Sequence, residues 1–121
     1  MPRIGRAVVP VSDLDVAINW YRELLDFEVV FDSEIFPGFR SVHVSPGRTA
    51  EAGVWLFPAD GAGSASHPAV VLYSDDLDGD VSRLLRGRAD IESPLSGEEG
   101  SRSIQLRDPF GNVLIIADTP R

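Results

Sequence analysis

The 121-residue chain has no cysteine, no lysine and only two histidines. Without cysteine there are no disulfides, thiolate nucleophiles or Cys-ligated metals, and the redox compartment is left unspecified. Without lysine, all 11 cationic residues are arginine. Set against 19 Asp and Glu, they leave a net charge of −8. No basic stripe is present, so a nucleic-acid partner is not expected. No apolar run approaches the ~20 residues that a membrane helix needs, so no membrane partner is expected either. Met1-Pro2-Arg3-Ile4-Gly5-Arg6 leads straight into a strand pattern with no secretory leader, which predicts a cytoplasmic protein. A Ser-His-Asp order, a phosphate loop and a nucleotide fingerprint are all missing. What is there suits one compact domain: 43% of residues are hydrophobic, enough for a core. The acid excess favours a cationic small ligand over an anionic one, although acidity also serves solubility.

The chain repeats itself. Ala7-Val8-Val9, followed by Ser12-Asp13, returns as Ala69-Val70-Val71 followed by Ser74-Asp75. Arg40-Ser41-Val42-His43-Val44 returns as Arg102-Ser103-Ile104-Gln105-Leu106, at the same offset of about 62 residues. The first half predicts a strand over Arg6–Val11, then a helix capped by Ser12 or Asp13, with Asp15 in its first turn. That helix has an apolar face of Ala17, Trp20, Tyr21 and Leu24 and ends at Asp26. Strands follow at Phe27–Phe31, Ser41–Ser45 and Gly53–Phe57. The second half predicts a strand over Ala69–Tyr73 and a helix from about Leu77 to Arg86. Leu77, Val81, Leu84 and Leu85 form its stripe, and Gly87 takes the left-handed cap. A weak strand near Ile91 and strands at Ser103–Arg107 and Val113–Ala117 complete it. Asp108-Pro109-Phe110-Gly111 reads as a tight turn, and residues 59–66 as a small-residue linker. The expected class is α+β, with two βαβββ modules over about 1–60 and 67–121. Each module covers one face of a mixed sheet with its helix. Two bare faces turned together would enclose a cleft.

Val9-Pro10-Val11-Ser12-Asp13-Leu14-Asp15, Trp20-Tyr21-Arg22-Glu23-Leu24-Leu25-Asp26-Phe27 and Asp108-Pro109-Phe110-Gly111-Asn112 resemble the vicinal oxygen chelate superfamily. That family includes glyoxalase I, ring-cleaving dioxygenases, and fosfomycin- and bleomycin-resistance proteins. Asp26 departs from the family's usual glycine, but aspartate tolerates a left-handed backbone. The resemblance implies a single domain over 1–121 and, commonly, a homodimer. It also implies where a metal would sit: histidine seven residues before each helix-capping aspartate, and glutamate seven residues after the turn aspartate. Those positions hold Arg6, Ala69 and Ile115, and the matching first-module positions hold Trp55 and Phe57. None is a ligand, so neither a metal nor another cofactor is expected. His67 lies two residues before Ala69, so strand alternation would aim it at the same face. The alternative is an exposed histidine at a strand start. His43 faces an unknown side, and a rearranged metal set would draw on His43, His67 and Glu51.

Two functions follow from the resemblance. The first is a metal-independent binding protein, similar to bleomycin-resistance proteins, that sequesters an antibiotic or other aromatic ligand. Its face, by alternation, carries Arg6, Val8, Trp55, Phe57, His67, Val71, Tyr73, Val113 and Ile115. Trp55, Phe57 and Tyr73 would stack on a planar or cationic ligand, or else serve as core. Acidic loops at Asp75-Asp76 and Glu98-Glu99 would attract a cation or simply stay solvated. Arg6 points the other way, toward an anionic group, or sits wet at the mouth. The second function is a lyase, isomerase, dioxygenase or thiol transferase of the same superfamily, with rearranged metal or acid/base groups. No residue is nominated as catalytic, because no acid sits inside a strand.

Overall fold

The computed structural model describes residues 1–47, 53–60 and 67–120. The chain divides into two units, Met1–Ala62 and Gly63–Arg121. The first holds β1 (Arg6–Val11), α1 (Leu14–Leu25), β2 (Phe27–Phe36), β3 (Phe39–Pro46) and β4 (Gly53–Pro58). The second holds β5 (Pro68–Ser74), α2 (Leu77–Arg86), β6 (Asp90–Ser96), β7 (Ser103–Arg107) and β8 (Val113–Asp118). This is the α+β glyoxalase fold, two βαβββ modules, each forming a four-stranded mixed sheet. The strand orders are equivalent, β1-β4-β3-β2 and β5-β8-β7-β6. In each the first and last strands of the unit pair in parallel and the rest antiparallel.

Alternation divides each sheet into a core face and an open face. In the first unit Val9, Val11, Val42, Val44, Val54 and Leu56 are buried with Ala17, Ile18, Tyr21 and Leu24 of α1. In the second, Ile104, Leu106, Leu114 and Ile116 are buried with Leu77 and Leu84 of α2. Each such valine, leucine or isoleucine withdrawn from water contributes about 1.5–3 kcal/mol before entropy is charged against it. Both helices start on an aspartate whose Oδ1 accepts a backbone N–H three residues on. Val16 N donates to Asp13 and Gly79 N to Asp76, each at 3.1 Å. The duplication extends to charge. Arg40 reaches Asp15 in the first turn of α1 at 2.9 Å, and Arg102 reaches Asp78 in the first turn of α2 at 2.9 Å.

Several sequence expectations are corrected. Asp26 is left-handed as expected (φ 58°), but in the second unit the left-handed residue is Arg88 (φ 55°), not Gly87 (φ −81°). Gly87 N–H still closes the helix onto the Arg83 carbonyl, so the chain reverses one residue later. Trp20 is half-buried and packs edge-on against Tyr21, and Ile18 takes the buried position. Leu85 is 62% exposed, because Leu77 and Leu84 alone reach the core. β2 runs five residues past Phe31, held by its pairing with β3 and closed by Pro37-Gly38, where Gly38 has φ 83°.

Candidate functional site

The open face of the first sheet carries one side chain from each strand in a single row. Val8 on β1 pairs with Trp55 on β4, Trp55 with His43 on β3, and His43 with Phe31 on β2. Above this row is a pocket of about 580 Å³, within the range of small-molecule sites. Arg6, Ser41, His43 and Trp55 line it with Val30, Phe31 and Ile35. Its three lining rings, Phe31, His43 and Trp55, are contiguous, and the run of rings continues past the pocket to Phe57. Phe31 and His43 have ring centroids 5.4 Å apart, His43 and Trp55 5.5 Å, and Trp55 and Phe57 5.1 Å. Phe39 meets Phe57 at 5.7 Å and stacks on Phe36 at 4.8 Å. Such tilted and edge-on contacts are favourable beyond the area they bury.

The polar groups in the pocket are ordered by one hydrogen bond. Arg6 Nε donates to His43 Nδ1 at 3.0 Å. A guanidinium has no acceptor, so Nδ1 must be the bare nitrogen and the ring proton sits on Nε2. His43 Nε2 therefore donates to Ser41 Oγ, 3.2 Å away. Burial, and then the positive charge of Arg6, hold His43 below the usual imidazole range, so the ring is neutral. This is the reverse of a catalytic Ser-His pair. There a carboxylate holds the far nitrogen and stabilises the imidazolium, and the near nitrogen is free to take the hydroxyl proton. Here the near nitrogen is already protonated and the far one faces a cation, so Ser41 is not activated as a nucleophile. Gly53 makes the arrangement fit. A Cβ there would lie 3.2 Å from Arg6 Nη1 and 2.7 Å from the Val44 carbonyl oxygen. Trp55 Nε1 is shielded from water and has no acceptor among the described residues.

Of the nine residues nominated from sequence, Arg6 and Trp55 line this pocket, and Val8 and Phe57 share its face. The other five belong to the second unit. Val71 pairs with Ile115 and Tyr73 with Ala117, so Val71, Tyr73 and Ile115 share the open face of that sheet. Tyr73 is 64% exposed, and Val113, at the end of the ladder, is 4% exposed. His67 precedes β5, is exposed and lies 3.3 Å from the Pro68 carbonyl. The ladder is irregular between Pro68 and Val70, so alternation does not carry His67 and Ala69 onto one face. Sequence reasoning missed Val30, Phe31, Ile35 and Ser41 as wall residues and left His43 unplaced. The ladder is also irregular between Val29 and Phe31, which inserts Val30 and resets the phase of β2. The echo of Arg40-Ser41-Val42-His43 in the second half was the one available signal for Ser41 and His43.

The divalent metal that the fold family commonly holds does not fit these residues. No group of three or more His, Asp or Glu side chains converges among the described residues. His43 has one nitrogen taken by Arg6 and the other turned to Ser41, and the guanidinium occupies a would-be ligand position. Glu51 lies outside the described residues.

A model of the Glyoxalase/Bleomycin resistance protein/Dioxygenase superfamily matches residues 3–116. No curated protein matches the chain. Among solved structures, a member of that superfamily from Sphaerobacter thermophilus DSM 20745 is 25% identical with a TM-score of 0.83, over 98% of each chain. TnmS3, an antibiotic binding protein from Streptomyces sp. CB03234, is 23% identical with a TM-score of 0.76, over 100% of this chain and 98% of its own. The fosfomycin resistance protein FosX from Listeria monocytogenes is 11% identical with a TM-score of 0.74, over 98% and 94%. The likeness to the last two is one of fold.

Proposed function

The chain belongs to the Glyoxalase/Bleomycin resistance protein/Dioxygenase superfamily, and within it we propose a metal-independent binding protein that captures a planar aromatic ligand, such as an antibiotic, without chemically altering it. One observation carries this reading: the first-unit pocket is walled by three contiguous rings, Phe31, His43 and Trp55, with a few fixed polar groups. That is the make-up of a recognition site, and the His43–Ser41 pair is set against proton abstraction. The antibiotic binding protein TnmS3 has the same fold, which supports the ligand class. No helix of the described residues is long and apolar enough to cross a membrane. Capture by a cytoplasmic homodimer of single-domain chains completes the proposal, with Val8, Phe57, His67, Val71, Tyr73, Val113 and Ile115 as further ligand-facing positions.

Thermal unfolding against a panel of planar aromatic antibiotics tests the reading. A ligand present at about 100 times its Kd adds about 2.7 kcal/mol, or roughly 10 °C in Tm. Trp55→Ala should remove the shift, because it takes the central ring from the wall. Mass spectrometry should then recover the ligand unchanged after prolonged incubation, with or without added Zn, Mn, Ni or Fe. Conversion of the ligand would establish an enzyme instead.

A further inference from the structure

Three polar side chains of the pocket form a chain of hydrogen bonds that runs one way. Arg6 Nε–H donates to His43 Nδ1 at 3.0 Å, whatever else the guanidinium bonds. The proton of the neutral ring is therefore on Nε2, and Ser41 Oγ, 3.2 Å away, accepts it. Ser41 cannot then give its own hydrogen to the ring. Among the described residues no other group accepts that hydrogen. Ser41 lines the pocket and is only 3% exposed, so bulk water does little for it. A buried hydroxyl hydrogen without an acceptor is costly, and an acceptor brought by a ligand removes that cost. Each donor in such a chain polarises the next, which makes the last O–H a better donor.

We propose that Ser41 determines specificity: its hydroxyl donates to a carbonyl oxygen on the ligand, and the pocket prefers aromatic ketones to ring systems of the same shape that present CH2 or N–H there. This rests on the capture reading above and adds the functional group that is recognised. His43 is the positioning residue, because its Nε2–H turns the Ser41 hydrogen away from the ring. A ligand N–H reaches at most the second lone pair of Ser41 Oγ and leaves the hydroxyl hydrogen unpaired.

The test uses three planar tricycles that differ at one bridge: 9-fluorenone (C=O), fluorene (CH2) and carbazole (N–H). Equilibrium dialysis against the full-length protein at pH 7.5 gives each affinity. Fluorenone should bind roughly five- to ten-fold tighter than either of the others, although fluorene is the more hydrophobic. In Ser41→Ala the preference should fall to within about two-fold, and the infrared carbonyl stretch of bound fluorenone should move to higher wavenumber as its hydrogen bond is lost. The comparison on the unaltered protein needs no variant, so a folding defect in Ser41→Ala does not blunt it. Nitrogen-15 spectra of the imidazole rings should show His43 with its proton on Nε2; a proton on Nδ1 would reverse the chain and overturn the inference. If fluorene or carbazole binds as tightly as fluorenone, or if the preference survives Ser41→Ala, the role of Ser41 is overturned and capture stands. If none of the three binds, capture itself is overturned and the inference with it.

Discussion

At the scale of single residues, His43 joins stability to the state of the pocket. Its pKa is depressed by burial first and by Arg6 second. The unfolded chain regains an ordinary imidazole, with a pKa near 6.5. Below that value the unfolded state takes up a proton that the folded state refuses, so folding stability falls as pH falls until the folded pKa is reached. Above about pH 7 both states are neutral there, and the slope vanishes. Asp32 and Glu92 are held low by hydrogen bonds from Arg40 and Arg107, and their losses come only at more acid pH. The window between pH 7 and 5.5 is therefore where His43 acts. Denaturant melts across that window should show stability declining with acidity in the unaltered protein. The slope should be smaller in His43→Gln, which places in the first unit the residue that Gln105 supplies in the second. Equal slopes would mean that His43 is not the neutral acceptor of the Arg6 hydrogen bond.

At the scale of elements, two short segments hold the frame. In the turn between β7 and β8, Asp108 is buried, and its Oδ1 accepts from Phe110 N and Asn112 N at 2.9 Å each, its Oδ2 from Asn112 Nδ2 at 2.8 Å. Asp108→Ala orphans these donors and should cost about 2–4 kcal/mol in urea melts. In β4, Gly53→Ala brings a Cβ against the Val44 carbonyl, a backbone atom that cannot swing aside. About 1–3 kcal/mol of stability should be lost in urea melts. The elements with regular local patterns were legible from sequence: β1, β7 and α2 have the expected bounds, since alternation and helical spacing need no knowledge of partners. The far half of β2 was not legible. Asp32, Ser33 and Glu34 break the apolar pattern, and they are strand only because Val42, Ser41 and Arg40 pair with them across the hairpin. The same limit divided the pocket wall. Arg6 and Trp55 follow from alternation on β1 and β4, whereas Phe31 and Ile35 lie beyond a bulge that period-two counting does not see.

At the scale of the molecule, duplication supplied the frame twice and the pocket chemistry once. Val8–Trp55–His43 in the first sheet and Val71–Ile115–Gln105 in the second occupy equivalent registers. The second set has no aromatic ring and no cation.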